Sequence, residues 1–382
     1  MLDPAALISK RARGIDASGI RRVFDLAAKL TRPINLSIGQ PDFDVPDEIK
    51  RAAITAIEGG RNRYTVTQGQ QELRDAVRSR FDSAYRNGGR WDHYGTLVTS
   101  GVSGGLVLAL MACVEDGQEV VAPDPYFVMY KHLTRLVGGR PVFADTYPDF
   151  RLTAARLEPL LTDRTRLVIV SSPSNPTGVV LGERDWADLV DLCERRGVLL
   201  VSDEIYDEFC YERGPDDRCP SPASLTDRIL VLKGFSKTYA MTGWRLGYAM
   251  GPTEIIEQMT KLQQYTFVCA PSMAQWAGAA ALDVDMSAHV AAYRRKRDRL
   301  VEKLSPHFDL TTPGGAFYAF PRAPGNLTGA AFCERAVERN VLVIPGNVFS
   351  ERDTHFRISY ACNDAMLDEG LDILVDLTRR HA

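Results

Sequence analysis

The sequence feature that most constrains the fold is an alternation that begins near residue 95, in which short apolar, β-branched runs are separated by longer amphipathic stretches. This order is typical of parallel β-strands that are joined by helices. The run VLLV at 198–201 is apolar at every position, as expected when helices cover both faces of a sheet. We therefore predict a large α/β domain. Its predicted strands are 97–99, 119–122, 141–144, 167–170, 198–202, 229–232 and 246–250, and its predicted helices include 104–114, 126–137, 183–196 and 253–265.

The two ends of the chain differ from this central block. The first 45 residues carry a predicted helix at 20–30 but no strand ladder, and after residue 286 a long charged helix leads into short strands and two further helices. We predict that residues 46–286 form the large domain and that residues 1–45 and 287–382 pack together as a smaller α+β domain. A chain of 382 residues is long enough for two such cores.

The composition excludes several classes of protein. Lysine and arginine number 46 against 49 acids, and this net charge of −3 predicts no general attraction to nucleic acid or to an anionic membrane. The basic run 294–297 is followed by Asp298 and Glu302, so we interpret it as a solvated helix face. No stretch is long and apolar enough for a membrane span or a signal peptide. The seven scattered cysteines form no CxxC pair, so we predict no metal site and a reducing, cytoplasmic location.

The stretch GFSKTYAMTGWRLGY at 234–248 is the most informative part of the chain. It follows an apolar strand, and ligands of open parallel sheets bind at the carboxyl ends of the strands. A lysine is usually solvent-exposed, but Lys237 follows a hydroxyl residue, Ser236, and precedes Arg245 by eight positions. An amine, a hydroxyl and a guanidinium together suit an aldehyde that carries a phosphate, because the amine forms a Schiff base while the others hold the phosphate.

Three more motifs follow predicted strands. VTSGVSGGL at 98–106 combines a strand, a glycine-bearing turn and a helix start, a geometry that directs backbone N–H groups at an anion. SSPSNPTG at 171–178 is dense in turn-forming residues, and VLLVSDEIY at 198–206 ends in two acids and a tyrosine. Taken singly, each has an ordinary interpretation as a turn or a helix cap.

Taken together, these motifs resemble those of the class I and II pyridoxal-phosphate-dependent aminotransferases, the fold type I family that includes the prokaryotic aspartate aminotransferases. The resemblance extends from INLSIGQPDF at 34 to HFRISYA at 355. It implies a mostly parallel seven-stranded sheet flanked by helices, with a smaller α+β domain formed by both chain ends. It also implies pyridoxal 5′-phosphate as cofactor, attached to Lys237, with its phosphate bound by Ser236 and Arg245.

The same resemblance implies the contacts of the cofactor ring. Asp203 would contact the pyridine nitrogen and keep it protonated, which is the main electronic influence of the protein on this cofactor. Tyr206 and Asn175 would bond to the phenolic oxygen of the ring, whereas Glu204 is expected to be structural. The Asn175–Pro176 bond is a candidate cis peptide.

The phosphate cup, by resemblance, is formed by Gly101, Val102 and Ser103, the first two through backbone amides. Phe127 takes the position whose aromatic ring stacks on the cofactor, although a purely structural core phenylalanine remains an alternative. Tyr64 matches the tyrosine that reaches across a dimer interface to the phosphate of the neighbouring subunit. The resemblance therefore implies a homodimer with shared active sites.

The substrate contacts implied by the resemblance involve Arg357, Gly39 and Asn175. Arg357 alternates with the apolar residues of HFRISYA and would grip the α-carboxylate of the substrate, a two-point contact that lysine makes poorly. Gly39 would add a backbone donor to the same carboxylate. Many relatives that act on aspartate have a lysine where this chain has Ser103, so a preference for dicarboxylates is left open, and we expect side-chain contacts near residues 15–20.

The reaction implied by these residues is transamination. Lys237, once freed by the substrate, would move the proton between Cα and the cofactor as general base and acid. We expect a ping-pong transfer of the amino group from an L-amino acid to a 2-oxo acid, 2-oxoglutarate or pyruvate, as the cofactor alternates between its pyridoxal and pyridoxamine forms. One alternative is a carbon–sulfur β-lyase. Another is a non-catalytic, aminotransferase-like sensor module, which would need a fused DNA-binding domain that the first 45 residues are too short to supply.

Overall fold

The computed structural model describes residues 2–16, 19, 30–85, 91, 93–214 and 216–379. Residues 20–29 of the predicted helix at 20–30 lie outside these residues, as do residues 17, 18 and 20 of the segment at 15–20 where we expected substrate contacts. No helix in the described part of the chain has the length and hydrophobicity needed to cross a lipid bilayer.

The secondary structure alternates between strands and helices through the centre of the chain. The strands are β1 (Ile34–Asn35), β2 (Tyr94–Thr99), β3 (Glu119–Asp124), β4 (Arg140–Asp145), β5 (Thr165–Ser171), β6 (Leu199–Asp203), β7 (Ile229–Gly234), β8 (Gly247–Pro252), β9 (Tyr318–Ala319), β10 (Val341–Leu342), β11 (Ile344–Pro345) and β12 (Phe356–Ser359). The helices are α1 (Lys10–Arg13), α2 (Asp47–Glu58), α3 (Gln71–Tyr85), α4 (Gly101–Cys113), α5 (Val128–Leu136), α6 (Ala154–Leu157), α7 (Glu183–Arg196), α8 (Thr253–Thr266), α9 (Ser272–Ala281), α10 (Ser287–Leu304), α11 (Gly329–Glu338) and α12 (Asp364–Arg379).

The seven-stranded sheet has the order β2-β8-β7-β6-β5-β3-β4. Strands β3 to β7 pair in parallel, and β8 runs antiparallel to both of its neighbours. Successive side chains of a strand enter hydrophobic clusters on opposite faces, since Leu200 and Val201 belong to different clusters. This two-sided burial explains why the run 198–201 carries no polar residue. The predicted fold class, a mostly parallel sheet of seven strands flanked by helices, is confirmed.

Two small sheets are formed by the chain ends. Strand β1 pairs in parallel with β10, which joins the N-terminal segment to the C-terminal segment, and β12 pairs antiparallel with both β9 and β11. These strands pack with α10, α11 and α12 around a separate cluster that contains Leu300, Phe332 and Leu371. Tyr206 and Phe209, which follow β6, also enter this cluster. We retain the boundaries 1–45, 46–286 and 287–382 as a proposal.

The prediction that the basic run 294–297 is a solvated face is wrong for two of its members. Lys296 lies 2.5 Å from a carboxylate oxygen of Asp42, and its Nζ also donates to a backbone carbonyl. The buried Arg297 donates to the backbone oxygen of Pro313 at 2.5 Å. The reason is that α10 covers the N-terminal loop and the small-domain core, so only one side of the helix meets solvent.

Candidate active site

A cavity of about 330 Å³ opens where the carboxyl ends of the parallel strands meet the small sheets. The turns after β5, β6 and β7 project into it from one side, while the loop after β1 and the strands β9 and β12 close it from the other. Most of the residues singled out from the sequence lie on its wall. These are Gly39, Val102, Ser103, Phe127, Asn175, Asp203, Tyr206, Ser236, Lys237, Arg245 and Arg357.

Lys237 follows β7 and points its amine into this cavity. Its Nζ donates to the backbone oxygen of Gly39 at 2.7 Å. Loss of solvation, together with the nearby cations Arg357 and Arg245, lowers the pKa of this amine to about 8. At pH 7 about a tenth of the amine is therefore unprotonated, far more than for an ordinary lysine, and the unprotonated form is the one that a nucleophile or a general base requires.

Asp203 is the last residue of β6 and is buried in the wall of the cavity. One of its carboxylate oxygens accepts a hydrogen bond from the Tyr130 hydroxyl at 2.7 Å, and the other accepts from the backbone N–H of Ile205 at 3.3 Å. Burial raises the pKa of this carboxyl to about 6, although the Tyr130 bond opposes that shift. Sequence reasoning missed Tyr130, whose only signal was its place beside Phe127 in the aromatic run PDPYFVMY.

Tyr206 is paired with a second tyrosine that the sequence did not reveal. The hydroxyls of Tyr206 and Tyr318 are 2.9 Å apart, and their rings meet edge to face. Both side chains are buried, and burial raises the pKa of Tyr206 well above its usual value. Tyr318 comes from the two-residue strand β9, more than a hundred positions along the chain, so no local pattern marked it.

Two glycines make room for an anion at the start of α4. Gly101 has a φ of +69°, and a Cβ at this position would lie 2.7 Å from a guanidinium nitrogen of Arg245. A Cβ at Gly247 would lie 2.7 to 2.8 Å from the backbone of Gly101 and Val102. Arg245 itself has a φ of +54°, and its Nη1 donates to the Thr242 backbone oxygen at 2.8 Å. A helix start beside a guanidinium is a suitable cradle for a phosphate.

Arg357 lies on β12 and is only 1% exposed. Its Nη1 donates to the Asn175 side-chain oxygen at 3.0 Å and its Nη2 to the Ser37 backbone oxygen at 2.8 Å. Its Nε has no hydrogen-bond partner, and the guanidinium lies over the rings of Tyr318 and Phe349. No ion pair joins it to a carboxylate of the described residues. A buried cation of this kind on a cavity wall is poised to receive an anion.

Three further predicted residues differ in their relation to this cavity. The half-buried Phe127 lines it and meets the Tyr130 ring edge to face, with ring centroids 5.8 Å apart. The Asn175–Pro176 bond is cis, as predicted. Tyr64 is not brought to the cavity of its own chain, and its side chain is 85% exposed.

The residues around the cavity fit the cofactor that the resemblance implies. The cradle at Gly101 and Arg245 can hold a phosphate, the amine of Lys237 can bind an aldehyde, and Asp203 can face a protonated ring nitrogen. The unpartnered Nε–H of Arg357 leaves a donor for a carboxylate.

Comparisons with known proteins give the family. Residues 31–374 match the model of the aminotransferase class I and II family. The aspartate aminotransferase of Pyrococcus abyssi is 36% identical over 384 residues, which cover 97% of this chain and 98% of that protein. The aromatic-amino-acid aminotransferase 2 of Thermococcus litoralis is 35% identical over 378 residues, which cover 96% of each. A solved structure of a single mutant of Thermus thermophilus aspartate aminotransferase superposes with a TM-score of 0.90 at 33% identity, covering 97% of this chain and 99% of that one.

The chain therefore belongs to the class I and II aminotransferases and has the type I fold of that family. It is an aminotransferase, and the resemblance seen in the sequence is confirmed.

Proposed function

We propose that this enzyme transfers the amino group of an L-amino acid to a 2-oxo acid, 2-oxoglutarate or pyruvate, with pyridoxal 5′-phosphate bound to Lys237. The observation that carries the proposal is the position of Lys237, a lysine of lowered pKa between a phosphate cradle and the buried, carboxylate-free Arg357. When bound, pyridoxal phosphate supplies the electron sink that stabilises a carbanion at the substrate Cα.

The chain would hold the phosphate with the backbone amides of Gly101 and Val102, the hydroxyls of Ser103 and Ser236, and the guanidinium of Arg245. Support for this comes from the close approach of Arg245 to Gly101 and from the presence of both hydroxyl residues on the cavity wall. Several donors on one side of the cavity orient the cofactor, because a phosphate accepts many charge-assisted hydrogen bonds.

The ring of the cofactor would lie near Asp203, Tyr206, Asn175 and Phe127. Asp203 would keep a proton on the ring nitrogen, and the Tyr130 hydroxyl bond would fix the orientation of its carboxylate. Tyr206 and Asn175 would donate to the phenolic oxygen, and the ring of Phe127 would stack on the cofactor.

The substrate would be held by its α-carboxylate at Arg357, with a backbone donor at Gly39. This carboxylate is common to amino acids and 2-oxo acids, so one anchor serves both half-reactions of a ping-pong cycle. Lys237 would then take the proton from Cα and return it, which general acid–base catalysis makes about 10² to 10⁴ times faster. The curated relatives carry names that refer to aspartate and to aromatic amino acids, so both donor classes belong in a first assay.

The test is chemical labelling of the purified enzyme followed by an activity screen. Borohydride reduction should attach a pyridoxyl group to the peptide that contains Lys237, and Lys237→Ala should abolish both this mass and the transfer of amino groups. The screen would supply all common amino acids with 2-oxoglutarate or pyruvate. A missing pyridoxyl mass would overturn the cofactor assignment, and formation of pyruvate and ammonia without amino transfer would identify a lyase instead.

We also propose a homodimer whose two active sites are shared. The exposed Tyr64 is free to reach a neighbouring copy, and an apolar groove of about 510 Å³ lined by Ile54, Ile57, Trp244 and Arg245 opens beside the phosphate cradle. Mixing Lys237→Ala chains with Tyr64→Phe chains should give activity above that of either parent, because one site of each heterodimer is intact. Proven subunit exchange without recovery would contradict a shared site.

A cytoplasmic location is likewise a proposal. It is supported by the seven cysteines, all of which are free thiols in the structure.

A further inference from the structure

The reverse side of the strand ends β6 and β7, facing away from the cavity, holds a group of buried charges. Lys233 is only 8% exposed and Glu204 only 2%. The amine of Lys233 donates to a carboxylate oxygen of Asp207 at 2.8 Å and lies 3.1 Å from both a carboxylate oxygen of Glu204 and the Tyr85 hydroxyl. We call Lys233, Glu204, Asp207 and Tyr85 the reverse-side cluster.

The reverse-side cluster is joined directly to the segment that faces the cofactor site. Glu204 follows Asp203 in the chain, and Asp207 follows Tyr206. Asp203 and Tyr206 line the cavity, while Glu204 and Asp207 turn to the other side and meet Lys233. A single cation on β7 therefore fixes both ends of the turn that carries two cofactor-facing residues.

Glu204 is held in this position from a second direction. Its other carboxylate oxygen accepts hydrogen bonds from the Ser202 hydroxyl at 3.0 Å and from the Ser221 hydroxyl at 2.5 Å. A buried carboxylate is costly unless an opposite charge lies beside it, and Lys233 supplies that charge to Glu204. The charge balance behind Asp203 thus depends on Lys233.

We propose that Lys233 is a positioning residue, which holds the 203–207 turn in place and balances the charge of Glu204 behind the cofactor site. The proposal rests on the proposed function, because it concerns a site for pyridoxal phosphate. Without Lys233, the buried Glu204 and the half-buried Asp207 would be two carboxylates with no cation between them, next to the carboxylate of Asp203. Their repulsion would loosen the turn and weaken the hold on the cofactor.

The charges around Asp203 support this assignment. The carboxylate of Glu204 already contributes to the raised pKa of Asp203, while Tyr130 and Lys237 oppose that rise. The titratable groups that face Lys233 are Asp207, Glu204, Tyr85 on α3 and Tyr248 on β8. Burial lowers the pKa of Lys233, but the negative charges of Asp207 and Glu204 outweigh that effect and keep this pKa well above its usual value, so Lys233 is a fixed positive charge at all moderate pH values.

The test compares Lys233→Met with Glu119→Gln, a change in another buried, ion-paired acid. Glu119 lies at the amino end of β3 and pairs with Arg140 and Arg164, far along the sheet from the cavity. Both variants should lose thermal stability. Only in Lys233→Met should the apoprotein bind added pyridoxal 5′-phosphate more weakly than the unchanged apoprotein, by about tenfold or more in an absorbance titration. A tenfold change in affinity is the free energy that shifts the pKa of a coupled group by one unit.

A spectroscopic measurement separates charge from simple packing. Removing a positive charge favours protonated forms, so the pH midpoint of the absorbance of the bound cofactor should rise in Lys233→Met by about 0.5 to 1 unit. Glu204→Gln removes a negative charge and should lower the midpoint, which keeps the proposal testable if Lys233→Met fails to fold. Lys233→Arg should bring both affinity and midpoint back toward the values of the unchanged enzyme.

The outcomes distinguish the two proposals. If the unchanged apoprotein does not bind pyridoxal phosphate, the proposed function fails. If it binds, but Lys233→Met and Glu204→Gln leave the affinity and the midpoint at the values of Glu119→Gln, Lys233 serves only stability and the positioning role is wrong.

Discussion

The two sides of the ends of β6 and β7 differ in whether their lysine is paired with a carboxylate. On the reverse side, Lys233 is matched by Asp207 and Glu204 within the chain. On the cavity side, four positions further along, Lys237 makes its hydrogen bond to a neutral carbonyl, and its pKa falls to about 8 while that of Lys233 rises. The reverse side is complete in the single chain, whereas the cavity side is built for charges that a ligand brings.

The difference has an energetic meaning. Among the described residues of the cavity wall, the cations Lys237, Arg245 and Arg357 face one carboxylate, Asp203. Of these cations Arg357 is buried without a carboxylate partner in the described part of the chain, and an uncompensated buried charge typically costs several kcal/mol, so the folded chain holds this arginine against its own stability. A phosphate and a carboxylate from cofactor and substrate would remove that imbalance. The following predictions either break or sharpen this contrast.

The largest effect is expected for Asp203→Asn. The amide cannot hold the proton on the ring nitrogen, so kcat for transamination should fall. The activation free energy should rise by several kcal/mol, roughly as it does when other preorganised electrostatic groups are removed from closed sites. The apoprotein should not lose stability at pH 7. The folded-state pKa of about 6 lies above the ordinary value, so the ionised form is disfavoured by folding, and the amide still accepts the Tyr130 hydroxyl bond.

Steady-state kinetics and thermal unfolding of the apoprotein check this pair of expectations. Asp207→Asn on the reverse side is the matched change, and it should lower the melting temperature because it removes a partner of Lys233. Near-normal turnover by Asp203→Asn would mean that this aspartate only caps its strand.

An intermediate effect is expected for Arg357→Lys. Lysine keeps the charge but loses the planar fork, so kcat/KM should fall in both half-reactions. The corresponding loss of transition-state stabilisation is about 1.5 to 3 kcal/mol. All donor amino acids should be affected alike, and the absorbance of the bound cofactor should not change. Arg297→Lys is the matched control, because Arg297 is also buried but bonds to Pro313 and Asp298 away from the cavity. A strong effect on one donor alone would show that Arg357 binds the substrate side chain.

The smallest effect is a difference in pH dependence between two lysines. In the apoprotein, brief treatment with acetic anhydride should modify Lys237 at a rate that rises through pH about 8, since only the unprotonated amine reacts. Lys233, with its raised pKa and its ion pairs, should stay unmodified over the same range. Peptide mass spectrometry measures both residues in one sample. Equal modification of the two would remove the contrast between the two sides of the sheet.

The fold could be predicted from the sequence because the patterns that mark its strands and helices lie in short, contiguous stretches of the chain. Apolar runs marked each strand of the large sheet, and helix α7 begins and ends where the amphipathic pattern does, at Glu183 and Arg196. Strand ends were placed up to three residues short, as at Tyr94, because polar and glycine residues at the ends of a ladder carry no hydrophobic signal.

The site could be predicted only where residues lie in contiguous motifs. Lys237 and Asp203 were found because the residues beside them form recognisable strings after strands. Tyr130 and Tyr318 were missed because their hydroxyl contacts are made between distant segments. The burial of Arg297 was missed for the same reason, since its partner Pro313 comes from another part of the chain.

The contacts of Arg357 have a consequence for the order in which the site forms during synthesis. Its guanidinium is held by Ser37 near the beginning of the chain and by Asn175 in the middle, while Arg357 itself is near the end. During synthesis on a ribosome, the large sheet has all of its strands once residue 252 has emerged, more than a hundred residues before Arg357. With the roles proposed above, a growing chain would have the lysine that binds the cofactor before the arginine that binds the substrate, and it would gain the capacity for amino transfer only as the last strand is added.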